Sequence, residues 1–240
     1  MATDPRERLS LLASVRDLDE VAIVLDAGVG LIDMKEPSLG ALGAVQPLII
    51  RAAVHRVDGR ALTSATIGDT PLSPRALSER VRAIGDCGVD FVKIGLHADS
   101  RLASHIEVLA SLSRRYRLVA VWLADYGTPD SQTLAVLAAA GFAGAMLDTE
   151  NKSRGSLPEL LSERELAAFV TTSRSNGLLT GLAGSLRLAD IPVLAPYGAD
   201  YLGFRGGLCD GDRSGALNPA RVREAVGRLS ANTSTTAAIS

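Results

Sequence analysis

The chain has 240 residues, 47% of them hydrophobic and 22% charged, the balance of an ordinary globular domain large enough to bury a core without disulfides or structural metals. Its net charge of −2 gives no electrostatic basis for binding nucleic acid or an anionic membrane, so an anionic ligand must be held by a local site. No stretch approaches the ~18 continuous apolar residues of a membrane span, and the start, MATDPRERLS, lacks an apolar signal core, so a cytoplasmic protein is expected.

Short β-rich runs alternate with helical stretches along the chain. A first strand at 11–15 precedes an amphipathic helix at 18–27 closed by Gly28, and a second strand at 30–35 ends in Met34-Lys35. A glycine-containing loop, EPSLGALGAVQ, and a helix at 47–57 follow, then a third strand at 61–67 closed by Gly68-Asp69. Ser73 is placed to cap a helix with Pro74 at its first position, running to Cys87 before Gly88. The fourth strand, 91–96, leads to a helix at 101–115; the fifth, 118–123, leads to a helix at 130–140. The sixth, 144–147, ends at Asp148 and is followed by a longer loop and a helix at 162–175. The seventh, 178–183, ends in Gly184-Ser185; the eighth, 200–205, is reached through a helix near 188–195, and Asn218-Pro219 opens a last helix to about Leu229.

Apolar strands followed by crossover helices imply a parallel sheet. Eight such units predict an α/β protein, a single (β/α)8 TIM barrel over residues 1–230, with a disordered tail at 231–240. The alternative, an open doubly wound sheet, would often carry a glycine-rich dinucleotide fingerprint after the first strand, and none is present. Cys87 and Cys209 have no metal-binding spacing and read as incidental reduced thiols. His55, His97 and His105 are too scattered for a metal site. No metal is expected.

Of 25 basic residues only Lys35, Lys93 and Lys152 are lysine. A drift toward arginine replaces lysine wherever any positive charge suffices, and spares it where an amine must lose its proton, because a guanidinium cannot. The strand assignment draws all three to the C-terminal ends of strands two, four and six, the rim on which such barrels build active sites. Asp33 lies two residues before Lys35, on the same face of a regular strand, and Asp148 lies four before Lys152. Ammonium groups around one pocket depress one another's pKa, and a neutral amine can attack a carbonyl to form a Schiff base. Salt bridges or loop caps are the plainer reading of the two aspartates. Gly184, Ser185, Gly206 and Gly207 end strands seven and eight, where barrels frequently bind phosphate through backbone amides, and Arg205 is placed to add a bidentate contact. Asp125 is a weaker acid–base or supporting candidate, and Ser14 and the Thr66–Asp69 turn are further positions that can line the pocket.

The stretches IDMKEPSLGALG (32–43), TSATIGD (63–69), FVKIGL (91–96), AMLDTENK (145–152), LAGSL (182–186) and FRGGLCDGDR (204–213) resemble the (5-formylfuran-3-yl)methyl phosphate synthases, also called 4-(hydroxymethyl)-2-furancarboxaldehyde-phosphate synthases, of methanofuran-type cofactor biosynthesis. The resemblance runs from strand one to strand eight. It implies a Schiff-base lyase that condenses two glyceraldehyde 3-phosphates into a furan aldehyde phosphate, with Lys35 as imine former and Lys93 as proton carrier. Asp33, Asp148 and Lys152 match the family's other polar positions. The segment LADYGTPD around Asp125 is shorter than the family's loop, and the sixth loop varies. No organic cofactor is implied, since the iminium is the electron sink. Triose phosphates are the expected partners. Self-association into a homo-oligomer is compatible with a barrel rim but carries no sequence signature. The rival readings are a class I aldolase acting on a sugar phosphate and a non-catalytic barrel that binds a phosphorylated metabolite.

Overall fold

The computed structural model describes residues 9–68, 73–151 and 154–236. Each apolar run becomes a strand: β1 (Ser10–Val15), β2 (Leu31–Met34), β3 (Leu62–Thr66), β4 (Phe91–Leu96), β5 (Leu118–Leu123), β6 (Gly144–Asp148), β7 (Leu179–Leu182) and β8 (Tyr201–Phe204). Every strand pairs in parallel with the next, and β8 returns to β1 with Ser10 opposite Tyr201 and Ala13 opposite Phe204, closing the barrel.

The crossover helices are α1 (Leu18–Asp26), α2 (Pro47–Val57), α3 (Pro74–Gly85), α4 (Leu102–Leu112), α5 (Ser131–Ala139), the single turn α6 (Leu157–Leu160), α7 (Glu163–Ser175), the single turn α8 (Ile191–Leu194) and α9 (Pro219–Thr236). Their starts follow local chemistry. Ser73 accepts from the Ala76 amide with Pro74 at the first helical position, and the Asn218 side chain accepts from the amides of Ala220 and Arg221. The crossover expected as one helix near 188–195 is broken into a 3-10 turn at Leu188–Asp190, α8, and a second 3-10 turn at Ala195–Tyr197, since Pro192 and Pro196 each remove a backbone donor. Helix α9 continues past Leu229 to Thr236, so the expected disorder from 231 does not hold over 231–236. Polar residues cost only a few tenths of a kcal/mol each in a helix already nucleated by buried Val222, Ala225 and Leu229.

Side chains alternate across the sheet. The outward set, including Val15, Ile32, Met34, Ala65, Ile94 and Leu147, packs against Val24, Ile50, Val81, Leu109, Leu137 and Phe169 of the helices. The inward set plugs the barrel with Leu12, Leu31, Phe91, Val119, Val121, Met146 and Tyr201, each fully buried aliphatic chain being worth about 1.5–3 kcal/mol. Two residues further along four of these strands the inward positions turn polar: Leu12 gives way to Ser14, Leu31 to Asp33, Phe91 to Lys93 and Met146 to Asp148, all four buried. The barrel is therefore capped at its C-terminal end by a layer of charged and hydroxylic groups seated on an apolar plug.

Candidate active site at the barrel rim

Asp33 is wholly buried on β2, and its neighbours in register are Ser14 of β1 and Ser64 of β3. Both hydroxyls donate to its carboxylate, Ser64 Oγ to Oδ1 at 2.6 Å and Ser14 Oγ to Oδ2 at 3.2 Å. The Lys93 Nζ donates to Oδ2 at 2.9 Å from β4, with the side chain only 2% exposed. Burial pushes the Lys93 amine below the usual lysine range; Asp33 opposes that shift, and the Lys35 ammonium adds to it.

Lys35 follows β2 directly and its amide donates to Val15 O, which carries the ladder one residue further and returns its side chain to the Asp33 face. Its Nζ lies 3.4 Å from Asp148 Oδ2, and it is the more exposed of the two amines, at 11%. Asp148 Oδ1 accepts from the Thr149 amide at 2.7 Å. Thr149 Oγ1 in turn lies 3.4 Å from Ser185 Oγ, tying the end of β6 to the turn after β7.

Ser14, Lys35, Lys93, Asp148, Gly184, Ser185, Gly206 and Gly207 all line one cavity of about 870 Å³. Asp33 is not among its lining residues and acts on the cavity through Lys93. The turns after β7 and β8 depend on glycine. Gly184 has φ +115°, and a Cβ there would lie 2.9 Å from the Thr149 amide nitrogen; at Gly207 a Cβ would meet Leu186 O at 2.5 Å. Ser185 takes a left-handed φ of 51°, an uncommon state for a non-glycine residue that recurs at ligand sites. The amides of Gly184, Ser185, Gly206 and Gly207 donate to no described residue.

Arg205 does not fill the phosphate-binding role expected of it. Its Nε donates to Arg213 O, its NH1 to Ser14 O and Glu20 Oε2, and its NH2 to Glu20 Oε1 and Gly215 O, at 2.5–3.1 Å. All the guanidinium donors are thus engaged. Arg205 is a buried strut between β1, α1 and the loop after β8. Glu20, which makes this arrangement possible and also accepts from the Arg16 amide, escaped sequence reasoning. An acidic residue in a first helical turn looks like a dipole partner, and nothing local marks a mate so distant in the chain.

Asp125, the weaker candidate, accepts from the amides of Glu150 and Asn151 at 2.5 and 3.2 Å and so anchors the loop after β6. Thr66 Oγ1 donates to Gly43 O, pinning the loop that follows Lys35. Lys152 and Asp69 lie outside the described residues. Two of the three lysines are therefore seen to converge, each on one of the two aspartates. Cys87 and Cys209 are free and buried. Among the described residues no group of three or more His, Cys, Asp or Glu could hold a metal ion, and no helix is long and apolar enough to cross a membrane.

Solved structures share the fold. A phosphoribosyl anthranilate isomerase from Thermus thermophilus superposes with a TM-score of 0.66 at 13% identity, covering 93% of this chain and 99% of its own. KGPDC from Streptococcus mutans does so with a TM-score of 0.66 at 11% identity, covering 93% and 98%. Closer likeness lies in sequence. The (5-formylfuran-3-yl)methyl phosphate synthase of Methanopyrus kandleri is 36% identical over 230 residues, 90% of this chain and 97% of the relative. That of Methanocaldococcus jannaschii is 34% identical over 227 residues, 89% and 97% of the two chains. A Methylorubrum extorquens protein that carries the same name provisionally is 47% identical over 222 residues, 91% of each. The model of the 4-HFC-P synthase family matches residues 11–226. With that match spanning β1 to α9 and relatives 34–36% identical over nine-tenths of the chain, the chain belongs to the 4-HFC-P synthase family.

Proposed function

We propose that this protein is a (5-formylfuran-3-yl)methyl phosphate synthase that joins two molecules of glyceraldehyde 3-phosphate through a Schiff base on Lys35, releasing one phosphate and two waters. The observation that carries this reading is the pairing of two lysines that line one cavity with two carboxylates, Lys35 with Asp148 in the cavity wall and Lys93 with Asp33 behind it. Lys35 is the more exposed amine and has only a 3.4 Å contact to its carboxylate, so an aldehyde reaches it first. Lys93 is held at 2.9 Å by Asp33 beneath the cavity, with its pKa lowered by burial, which suits an amine that takes a proton rather than one that is alkylated.

The sequence of steps follows from that division. Lys35 adds to the carbonyl of one triose phosphate and loses water as the iminium forms. The iminium acidifies the adjacent C–H, and Lys93 takes that proton. The resulting enamine supplies the electron pair for carbon–carbon bond formation with the second aldehyde or for expulsion of phosphate. Hydrolysis of the iminium returns Lys35, and dehydration with ring closure yields the aromatic furan. The amides of Gly184, Ser185, Gly206 and Gly207, which donate to no described residue, suit a phosphate oxyanion.

Borohydride reduction during turnover of glyceraldehyde 3-phosphate, followed by peptide mass mapping, tests the proposal. An adduct on Lys35 is expected, with inorganic phosphate released. An adduct confined to Lys93 would overturn the division of roles, and an unmodified protein would overturn the Schiff base. A sugar-phosphate aldolase would trap on a lysine and release no phosphate. Lys35→Arg keeps the charge and is expected to abolish turnover, because a guanidinium cannot form the imine.

A further inference from the structure

The cavity is lined by four arginines, Arg187, Arg205, Arg213 and Arg221, and their guanidinium groups are not equivalent. Arg205 is saturated by the two carboxylate oxygens of Glu20 and the backbone carbonyls of Ser14, Arg213 and Gly215. Arg187 pairs with Glu159 at 3.5 Å, and Arg221 NH1 donates to Cys209 O at 3.0 Å. The Arg213 side chain makes no hydrogen bond or ion pair with any described residue. Its neighbour Asp212 is within electrostatic reach, yet that carboxylate turns back onto the amide and hydroxyl of Ser214 at 2.8 and 2.5 Å.

The backbone that carries Arg213 is nevertheless held firmly. Arg205 Nε donates to Arg213 O at 2.9 Å, Arg16 NH1 to Ser214 O at 2.7 Å and Arg205 NH2 to Gly215 O at 3.0 Å. The Arg213 main chain also packs on Gly206, where an added Cβ would lie 3.6 Å from the Arg213 nitrogen. Three consecutive carbonyls, from Arg213 to Gly215, are thus clamped by buried or half-buried arginines, while the half-buried Arg213 side chain, unengaged by any described residue, lines the same wall as Gly206 and Gly207. A planar cation and backbone amides that no described residue engages are together suited to a tetrahedral oxyanion, which a guanidinium meets with two parallel N–H contacts.

We infer that Arg213 is the side chain that binds a substrate phosphate in this cavity, and that Arg205 and Glu20 are positioning residues that set its backbone. The inference rests on the proposed triose phosphate chemistry for the identity of the substrate, while the site itself is read as one for a phosphate monoester or phosphate ion.

Calorimetric titration of the intact protein with inorganic phosphate reads Arg213 without any turnover. Arg213→Gln is expected to weaken phosphate binding about 10- to 100-fold, the loss typical of one charge-assisted contact, and Arg213→Lys to lose less. Arg187→Gln and Arg221→Gln are expected to bind as the unsubstituted chain does. Unchanged binding in Arg213→Gln, or an equal loss in Arg187→Gln or Arg221→Gln, would overturn the assignment. In parallel, borohydride trapping with unphosphorylated glyceraldehyde is expected to label Lys35 equally with and without Arg213→Gln. Loss of that label in Arg213→Gln alone would overturn a role confined to phosphate. Failure to label Lys35 in either protein would overturn the Schiff-base reading, while the calorimetry decides Arg213 separately.

Discussion

Lys93 owes its chemistry to the groups around it. A lysine almost wholly removed from water loses the solvation that favours its charged form, and the Lys35 ammonium pushes in the same direction while Asp33 pushes back. As a proton acceptor Lys93 works when neutral, so the rate rises with pH as it deprotonates, and its lowered pKa brings that rise below the usual lysine range. Asp33→Asn removes the nearer of the two carboxylates, Asp33 and Asp148, whose charges favour the ammonium. The acidic limb of the kcat/KM profile is therefore expected to move to lower pH, together with a fall in the plateau; an unmoved limb would show that another group sets it. Lys93→Arg is expected to lower turnover by about 10²–10⁴-fold, the usual contribution of a general base, while leaving the Lys35 adduct trappable. The candidate lysines could be picked out from the chain because only three survive among so many arginines. Their pairing could not, since which carboxylate meets which amine depends on barrel stagger.

Between elements, the Glu20–Arg205 ion pair joins α1 to the loop after β8, and it explains why Arg205 is no phosphate ligand. A buried pair with every donor satisfied contributes little net stability by itself, yet removing one partner strands a buried charge. Arg205→Ala is expected to destabilise the protein by about 3–5 kcal/mol, measured by urea unfolding with the single, buried Trp122 on β5 as the reporter. Combining it with Glu20→Gln should cost less than the sum of the two changes, because the second substitution removes the charge the first one stranded. An additive double variant would contradict the coupling. Sequence reading could place Arg205 at the end of the eighth strand, but its partner is 185 residues away in the chain. Helix starts, by contrast, were legible one by one: the bonds of Ser73 and Asn218 reach only two or three residues ahead. The end of α9 was less so, because a run of Ser, Thr and Asn is weakly helical and its state is decided by the helix it extends.

At the scale of the whole barrel, an apolar plug of interleaved side chains supports the reactive layer. Met146 belongs to that plug and also touches the cavity floor, two residues before Asp148. Met146→Ala is expected to cost about 2–5 kcal/mol by the same urea measurement and to lower kcat as Asp148 loses its support; full activity in a destabilised variant would show that plug and site are independent. The order of eight strands and their crossovers was readable in the chain alone, because an apolar strand followed by an amphipathic helix is a local pattern, and right-handed parallel connections leave few ways to arrange it. The shortlist of lysines, aspartates and glycines was readable for the same reason: strand ends are local, and barrel sites lie at strand ends. What tertiary structure alone decided is which of those groups meet. Pairing of β1 and β3 with β2 lays Ser14 and Ser64 on either side of Asp33, while closure of β8 on β1 brings Glu20 to Arg205 and holds the Arg213 backbone at the cavity wall. Those contacts join positions far apart in sequence, and they exist because the stagger of a closed sheet sets which side chains share one layer.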